Sequence, residues 1–376
     1  MSAKPQRQHP PLRVGIISAA WGARAHLPAW RSVDGIEVTA ICTSRPETAD
    51  KAATEFAVER PFHDFRAMAA DPDIDIIDCG TRPPLRYEMV MAALGAGKHV
   101  FNGIPFASNL ADAQAMTDAW KKAGTIAAVD AFIQAVPALV QMKEMIDNGW
   151  VGEIFGADIA FEAPLFTAQQ CNVPDYVWFA DPANGASALR NLGSHMLNLL
   201  VHFFGPVASV AANSSLALKS WPVNGTVLHP EVPDRASLLL QHVSGLPTRL
   251  EANWAKIGGD GFRFSIWGSK GRMEARAPLF PMAHDTRLFG THNPGLGGVE
   301  LQEITLRAEY LGVPGCRAMA DRPETGLLAL ASIFVKMRDA IHGKGKASPD
   351  FAQALHVQAT VEAAARAETE RRWIDL

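Results

Sequence analysis

The sequence predicts an α/β protein, in which a doubly wound parallel sheet is followed by an α+β domain with a large, mostly antiparallel sheet. Short apolar runs alternate with helix-forming segments between residues 12 and 129, which is typical of parallel strands joined by helices. From Ile154 onwards the segments are longer and alternate apolar with polar residues, and turn signals such as Ser244-Gly245 separate them. At 376 residues the chain is long enough for two cores.

The first strand and helix, in residues 12–28, resemble the opening of a dinucleotide site. The apolar run 14–17 predicts a strand buried on both faces, and residues 21–30 place apolar side chains at helical spacing. Between them the usual G-x-G-x-x-G pattern is replaced by Ser18-x-Ala20-x-x-Ala23. Small residues at these positions are compatible with a pyrophosphate site, and equally with a scaffold that no longer admits a nucleotide.

The remaining elements follow from apolar runs, caps and stop signals. Asp64 and Asn109 are expected to cap helices, and Gly97 and Gly124 to end them. Further strands are predicted at residues 36–42, 74–79, 98–102 and 125–129, and helices at residues 47–56, 83–96, 109–123, 135–148 and 187–204.

The change of pattern predicts three parts of the chain. Residues 1–10 form a loose tail, residues 11–132 a dinucleotide-binding domain, and residues 133–376 a domain for substrate and self-association. Two final helices, at residues 325–342 and 350–370, are placed to pack back on the first domain.

Composition excludes several classes of function. The net charge of −4 gives no electrostatic basis for nucleic-acid or membrane-surface binding. No apolar run is long enough to span a bilayer, and the polar N-terminus lacks the core of a signal peptide. The cysteines show no C-x-x-C spacing and the histidines no metal pattern, so we expect no metal and a cytoplasmic location.

Four stretches together resemble the glucose–fructose oxidoreductase / inositol dehydrogenase / MocA (Gfo/Idh/MocA) family. They are VGIISAAWGARAHLPAW, VTAICTSRPETA, RYEMVMAALGAGKHVFNGIPFA and ALRNLGSHMLNLLVHFFG. The resemblance implies an N-terminal Rossmann domain and a C-terminal domain whose sheet packs dimers or tetramers. It also implies hydride transfer between NAD(P) and a hydroxyl-bearing carbon of a small sugar-like or cyclic substrate.

Two signatures of the family are altered in this chain. Its Glu-Lys-Pro motif reads Gly103-Ile104-Pro105, so the lysine that positions and polarises the substrate hydroxyl in typical members is missing. Its Asp-x-Gly-x-His-x-x-Asp motif reads Asn191-x-Gly193-x-His195-x-x-Asn198, which keeps the histidine and turns both carboxylates into amides. This chain is therefore predicted to be an atypical member.

The resemblance and the residue types select the candidate site. His195 is the predicted acid/base, and Asn191, one helical turn earlier, is expected to orient it. Thr43-Ser44-Arg45 ends the second strand without a carboxylate, which favours NADP over NAD if a nicotinamide cofactor binds. The candidate cofactor-binding residues are Ser18, Ala19, Ala20, Trp21, Thr43, Ser44, Arg45, Thr81, Pro83 and Asn102. The candidate substrate-binding residues are Ile104, Pro105, Gln134, Tyr176 and Trp178.

Two questions stay open at the level of sequence. The donor that replaces the missing lysine could be any of several side chains: Lys98, Arg82, Tyr87, Tyr176, Lys256 and Arg263. The function could also be non-redox, either as a ligand sensor or regulator, or as a lyase, isomerase or hydrolase that uses His195.

Overall fold

A computed structural model describes residues 9–293, 295–296, 299–317 and 327–376 of the chain. Most of the predicted N-terminal tail and the predicted start of the helix at residue 325 lie outside the described residues.

The first sheet is parallel throughout, and its strand order is β3-β2-β1-β4-β5-β6. Its strands are β1 (Leu12–Ile17), β2 (Ile36–Cys42), β3 (Arg60–Phe62), β4 (Ile76–Cys79), β5 (His99–Asn102) and β6 (Ala127–Val129). The order reverses direction between β1 and β4, so a crevice opens beyond their carboxyl ends, where ligands bind in folds of this type.

The helices around this sheet begin and end at the predicted signals. Asp64 Oδ1 accepts from the Arg66 N–H at 2.9 Å, Asn109 Oδ1 accepts from the Asp112 N–H at 2.9 Å, and Gly124 adopts φ +66°. A π-helical turn (Gly22–His26) leads into α1 (Leu27–Ser32), and the next helices are α2 (Pro46–Glu55), α3 (Phe65–Ala70), α4 (Pro83–Gly95), α5 (Leu110–Ala123) and α6 (Pro137–Asp147).

The second sheet is antiparallel except where β7 pairs with β12, and its order is β16-β15-β14-β13-β7-β12-β11-β8-β17. Its strands, with the separate pair β9 and β10, are β7 (Ile154–Glu162), β8 (Val207–Ser215), β9 (Trp221–Val223), β10 (Thr226–Leu228), β11 (Arg235–His242), β12 (Pro247–Asn253), β13 (Gly261–Gly268), β14 (Arg272–Ala277), β15 (Arg287–Thr291), β16 (Gln302–Ile304) and β17 (Ile374–Asp375). The predicted fold class is confirmed.

Three later helices follow, α7 (Ser194–Phe204), α8 (Leu327–Ile341) and α9 (Phe351–Glu370). Of these, α7 and α9 pack on one face of this sheet, and α8 packs against the first helices and β6 of the parallel sheet. The helix predicted at residues 187–204 is divided, because a π-helical turn (Leu189–Gly193) precedes α7. Phe334 of α8 stacks on Trp30 at 3.6 Å between ring centroids, which ties the C-terminal helices to the parallel sheet.

The other face of the second sheet is open and carries a depression lined by charged residues. Across it, Arg249 pairs with Asp158, Lys256 with Glu162 at 2.7 Å, and Arg235 with Glu251 at 2.8 Å. None of the helices in the described residues is long and apolar enough to cross a membrane.

Candidate functional site

The loop after β1 has small residues at the surface, and its glycine, Gly22, lies one position before the third position of the fingerprint, Ala23. Ala19 and Ala20 are exposed, and Ser18 Oγ accepts from the Ala20 N–H at 3.0 Å. A Cβ on Gly22 would lie 2.8 Å from Ser18 Cβ, and one on Gly80 would lie 2.7 Å from Gly22 Cα. Gly22 and Gly80 therefore provide the close packing of helix on strand that fingerprint glycines usually allow.

The residues at this edge of the sheet fit a dinucleotide. The π-helical turn begins directly after the exposed small residues, with Trp21 at its N-cap position. The N–H groups of a first helical turn have no acceptor within their own helix, so they are available to an anion. At the end of β2, Ser44 and Arg45 are exposed, whereas Thr43 is turned inward to a hydroxyl contact with Thr48 at 2.6 Å. A hydroxyl and a guanidinium are thus available where the adenosine ribose of a bound dinucleotide lies in such folds.

Three other predicted cofactor residues build the floor of the site. The Thr81 carbonyl accepts from Arg86 Nε at 2.7 Å, and Pro83 is buried at the first turn of α4. Asn102 Nδ2 donates to the Phe106 carbonyl at 3.0 Å, while its Oδ1 is buried and has no hydrogen-bond partner in the described part of the chain.

A buried charge cluster lies behind this edge and was not anticipated from the sequence. His26 Nδ1 lies 3.0 Å from the Asp78 carboxylate, and His26 Nε2 lies 3.1 Å from Asp130 Oδ2. Two indoles complete the cluster, since Trp30 donates to Asp78 at 2.8 Å and Trp21 donates to Asp130 at 3.0 Å. We call these five residues the His26 cluster.

The His26 cluster is ionic at neutral pH. Burial disfavours the imidazolium of His26, but the charges of Asp78 and Asp130 and the hydrogen bonds to them outweigh burial and raise the pKa of His26 well above its usual value. The cluster cannot be recognised from the sequence, because His26 lies 52 residues from Asp78 and 104 residues from Asp130 along the chain.

A buried guanidinium supports the loop from which the family's lysine is missing. Arg86 of α4 is 2% exposed, and its Nη1 donates to the Pro105 carbonyl. A Cβ on Gly103 would lie 2.9 Å from that nitrogen, so glycine at this position makes room for the arginine. Burial lowers the pKa of Arg86 to about 10, and the side chain remains charged at neutral pH. Ile104 packs partly buried against the core of the first sheet.

Two of the donors considered from the sequence, Lys98 and Lys256, are engaged away from the crevice. Lys98 Nζ donates to the carbonyls of Asp71 and Ile74, both at 2.7 Å. Lys256 pairs with Glu162 on the open face of the second sheet, and the guanidinium of Arg82 lies 5.4 Å from the ring centroid of Trp178.

His195 lies half-buried in an aromatic pocket. Its ring packs edge-on against Phe132 at 5.9 Å and Phe280 at 5.1 Å between centroids. Nδ1 is buried and has no hydrogen-bond partner among the residues that the structure describes. Burial lowers the pKa of His195 to about 4, against the opposing field of Asp130, so the imidazole is neutral at physiological pH.

Two expectations about side-chain contacts are wrong. Asn191 does not orient His195 through a hydrogen bond, because its Oδ1 accepts from the Ser187 N–H at 3.0 Å and so stabilises the turn before α7. Gln134 does not present its amide to the crevice, because its Oε1 accepts from Gln353 at 3.0 Å and its Nε2 approaches Ser348. Both amides are used to hold elements together.

A 3₁₀ segment (Pro174–Ala180) carries the predicted aromatic residues towards the first domain. Asp175 pairs with Arg24 of the first helical turn at 3.4 Å. Tyr176, the next residue, is 36% exposed. The burial of the rest of its side chain, together with the charges of Asp130 and Asp175, raises the pKa of its phenol. Tyr176 and Trp178 therefore lie at the same crevice as the predicted cofactor residues.

Comparison with known proteins decides the family. A model described as an oxidoreductase family with an NAD-binding Rossmann fold matches residues 12–131, and the model of the family's C-terminal domain matches residues 139–274. The chain belongs to the Gfo/Idh/MocA family. Within the described residues of this family member, no group of three or more His, Cys, Asp or Glu side chains is arranged to hold a metal ion.

Curated Gfo/Idh/MocA relatives include sugar dehydrogenases. The D-apiose dehydrogenase of Paraburkholderia graminis is 29% identical over 64% of this chain, and the match covers 60% of that protein. Dehydrogenase aclE of Aspergillus oryzae is 31% identical over 48% of this chain, and the match covers 49% of that protein. The levoglucosan dehydrogenase of Pseudarthrobacter phenanthrenivorans is 24% identical over 97% of this chain and 98% of that protein.

Solved structures share the fold over nearly the whole chain. An NAD binding oxidoreductase from Klebsiella pneumoniae aligns with a TM-score of 0.82 at 23% identity, covering 97% of this chain and 98% of that one. Levoglucosan dehydrogenase in complex with NADH aligns with a TM-score of 0.82 at 22% identity, covering 97% and 99% of the two chains.

Proposed function

We propose that this chain is an NADP-dependent oxidoreductase that acts on the hydroxyl or carbonyl carbon of a small sugar-like or cyclic substrate. The observation that carries the proposal is the position of His195, a neutral imidazole in an aromatic pocket of a Gfo/Idh/MocA scaffold. Membership of a family with an NAD-binding Rossmann fold supports the cofactor class, and the sugar dehydrogenases among its relatives support the substrate class.

The chain's own residues supply binding and proton transfer. Nδ1 of His195 is enclosed, so we assign uptake of the hydroxyl proton during oxidation to the other ring nitrogen, Nε2. Phe132 and Phe280, whose rings also contact each other at 5.7 Å, form an apolar wall beside the imidazole against which the substrate would lie. When bound, a nicotinamide takes up the hydride released from the carbinol carbon.

The test is cofactor binding followed by turnover. Fluorescence titration with NADPH and NADH measures binding, and absorbance at the nicotinamide band then measures turnover on a panel of pentoses, anhydrosugars and cyclitols. We expect micromolar binding, turnover on at least one hydroxyl substrate, and a loss of about 10²-fold or more in kcat for His195→Gln. Absence of binding at millimolar cofactor contradicts the proposal.

The preference for NADP rests on Arg45. The exposed guanidinium at the end of β2 suits a 2′-phosphate, and residues 43–46 include no carboxylate to bind the ribose hydroxyls of NAD. We expect Arg45→Ala to weaken NADPH binding about tenfold and to leave NADH binding within about twofold. Lys51→Ala, a charge removed from an exposed position of α2, is the matched control. Equal losses for both cofactors would contradict NADP specificity.

Homodimers or homotetramers are proposed to form through the open face of the second sheet. Its ion pairs and the half-exposed Leu239 are the support for this assignment. Light scattering is the direct test, and Leu239→Asp is expected to shift the mass towards the monomer.

A non-redox function is the second candidate, and Ile104 favours it, because an apolar side chain there cannot polarise a substrate oxygen. A protein that binds NADPH but oxidises none of the substrates, and gains turnover in Ile104→Lys, would support that alternative.

A further inference from the structure

The helix after β1 opens with a π-helical turn, Gly22–His26, and the contacts of two side chains account for that turn. Trp21 precedes the turn and His26 ends it. The Trp21 indole donates to Asp130 Oδ2 at 3.0 Å, and His26 Nε2 lies 3.1 Å from the same oxygen. Residues five apart lie about 140° apart around an α-helix, whereas a π-helix brings them to the same side and joins them by a backbone bond. The π-helical turn therefore lets both side chains reach one oxygen atom.

The hydrogen bond between Trp21 and Asp130 spans the carboxyl edge of the parallel sheet. Trp21 follows β1, Asp130 directly follows β6, and β4 and β5 lie between these two strands. At about 4.8 Å for each strand spacing, β1 and β6 are about 14 Å apart, so the indole crosses the ends of two strands to reach the carboxylate. A dinucleotide lies along this edge in folds of this type. The bond therefore ties the loop after β1 to the far side of the crevice.

The other end of the π-helical turn is anchored in the core. The His26 side chain is fully buried, and its Nδ1 lies 3.0 Å from the carboxylate of Asp78 on β4. The imidazole packs edge-on against Phe101 of β5 at 5.1 Å between centroids and against the Trp21 ring at 6.3 Å. The turn is thus held at both ends in the free protein, so it does not have to be ordered when a ligand binds.

The N–H groups of this turn face a ligand site with fewer glycines than usual. The Arg24 N–H donates to the Ala20 carbonyl at 2.9 Å, which is the i to i−4 bond that opens the helix, so the N–H groups of residues 21–23 have no acceptor within it. Ser18 and Ala20 replace two glycines of the fingerprint, which leaves the backbone less freedom to adjust to a pyrophosphate. Binding then depends more strongly on where the turn is held.

We propose that Trp21 and Asp130 are positioning residues of the dinucleotide site. The hydrogen bond between them holds the π-helical turn where its free N–H groups meet the pyrophosphate, and neither residue takes part in a chemical step. Trp21 thus acts on the cofactor through the backbone of its own turn. The inference rests on the proposed function for the identity of the ligand, a nicotinamide dinucleotide.

The test removes single indole N–H groups from the His26 cluster. Trp21→Phe keeps an aromatic ring but removes the donor to Asp130, whereas Trp30→Phe removes the donor to Asp78 at 2.8 Å, outside the π-helical turn. Isothermal titration calorimetry measures the affinity of each protein for NADPH, for 2′-phospho-ADP-ribose, which contains the pyrophosphate, and for 2′-AMP, which lacks it. NADH, ADP-ribose and AMP take their place if the protein prefers NAD.

We expect Trp21→Phe to weaken binding of NADPH and 2′-phospho-ADP-ribose about tenfold and that of 2′-AMP by less than about twofold, because only the first two contact the turn. Trp30→Phe should leave all three affinities within about twofold. In an Asp130→Ala background, Trp21→Phe should have no further effect, and Asp130→Ser serves as the background if the alanine variant does not fold. Unchanged NADPH affinity in Trp21→Phe, an equal loss for 2′-AMP, or an equal loss in Trp30→Phe overturns the proposal.

Failure of the proposed function gives a different result. If NADPH binds with an affinity that depends on Trp21 but no hydroxyl substrate is turned over, then the redox proposal fails and the positioning role stands. If turnover is found and the affinity is independent of Trp21, then the reverse holds. A wild-type protein that binds neither dinucleotide nor the fragments contradicts both.

Discussion

Two histidines on which the charge of Asp130 acts differ in their charge and in their neighbours. His26 lies between Asp78 and Asp130 and is charged, whereas His195 packs against two neighbouring phenylalanines and is neutral. Both lose hydration on folding, which by itself lowers an imidazole pKa. The comparison shows that the partners, rather than loss of hydration, decide whether such a histidine is charged or neutral at physiological pH.

The largest expected effect on activity is at His195, and it should leave stability intact. His195→Leu removes a buried nitrogen that has no partner, so we expect the free energy of unfolding to change by less than about 1 kcal/mol. Turnover should fall by about 10²- to 10⁴-fold. His202→Leu, two turns further along α7, is the control for helix packing. A destabilisation as large as that of a core mutation would show that His195 is structural.

The opposite pattern is expected for His26. His26→Ala leaves two buried carboxylates without their cation, which costs about 3–5 kcal/mol in the free energy of unfolding. Urea denaturation at pH 7 measures the loss, and His63→Ala at an exposed position is the control. A loss below about 1 kcal/mol would mean that the cluster is not ionic.

The two histidines should also give opposite pH dependences of stability. The raised pKa of His26 stabilises the fold fully below pH 6.5, and this contribution is lost as the pH rises towards the folded-state pKa. The lowered pKa of His195 acts on the other side, so stability is lost as the pH falls from 6.5 to about 4. His26→Gln should therefore flatten the alkaline limb of the unfolding free energy, and His195→Leu the acidic limb. If either variant changed the unfolding free energy equally on the acidic and the alkaline side, the directions assigned to the two pKa shifts would be wrong.

The smallest effect in this series is expected at Arg86. Arg86→Lys retains a charge near Asp130 but replaces a guanidinium that donates to both Thr81 and Pro105. We expect a destabilisation of about 1–2 kcal/mol and a rise in KM of a few-fold, as residues 103–105 lose one of their supports. Thermal unfolding and steady-state kinetics measure the two effects, with Lys98→Arg as the matched exchange at another carbonyl-bound cation.

Prediction from the sequence succeeded where interactions are local and failed where they are not. The caps at Asp64 and Asn109 were predicted correctly, because each bonds within three residues of itself. The His26 cluster was missed, since its members come from the first helical turn, β4 and the end of β6. Arg86 was missed for the same reason. The glycine at position 103 was the one local signal, because a side chain there would collide with the guanidinium of Arg86.

The sequence by itself determined the family, the class of both sheets and the histidine at which chemistry is proposed. Apolar periodicity and short motifs are properties of neighbouring residues, so they can be read along the chain. Only the tertiary structure decided which carboxylates surround His26 and which cation supports the loop of the missing lysine. Those choices depend on strand order, which brings the carboxyl ends of β1, β4, β5 and β6 to one edge and joins residues far apart in sequence.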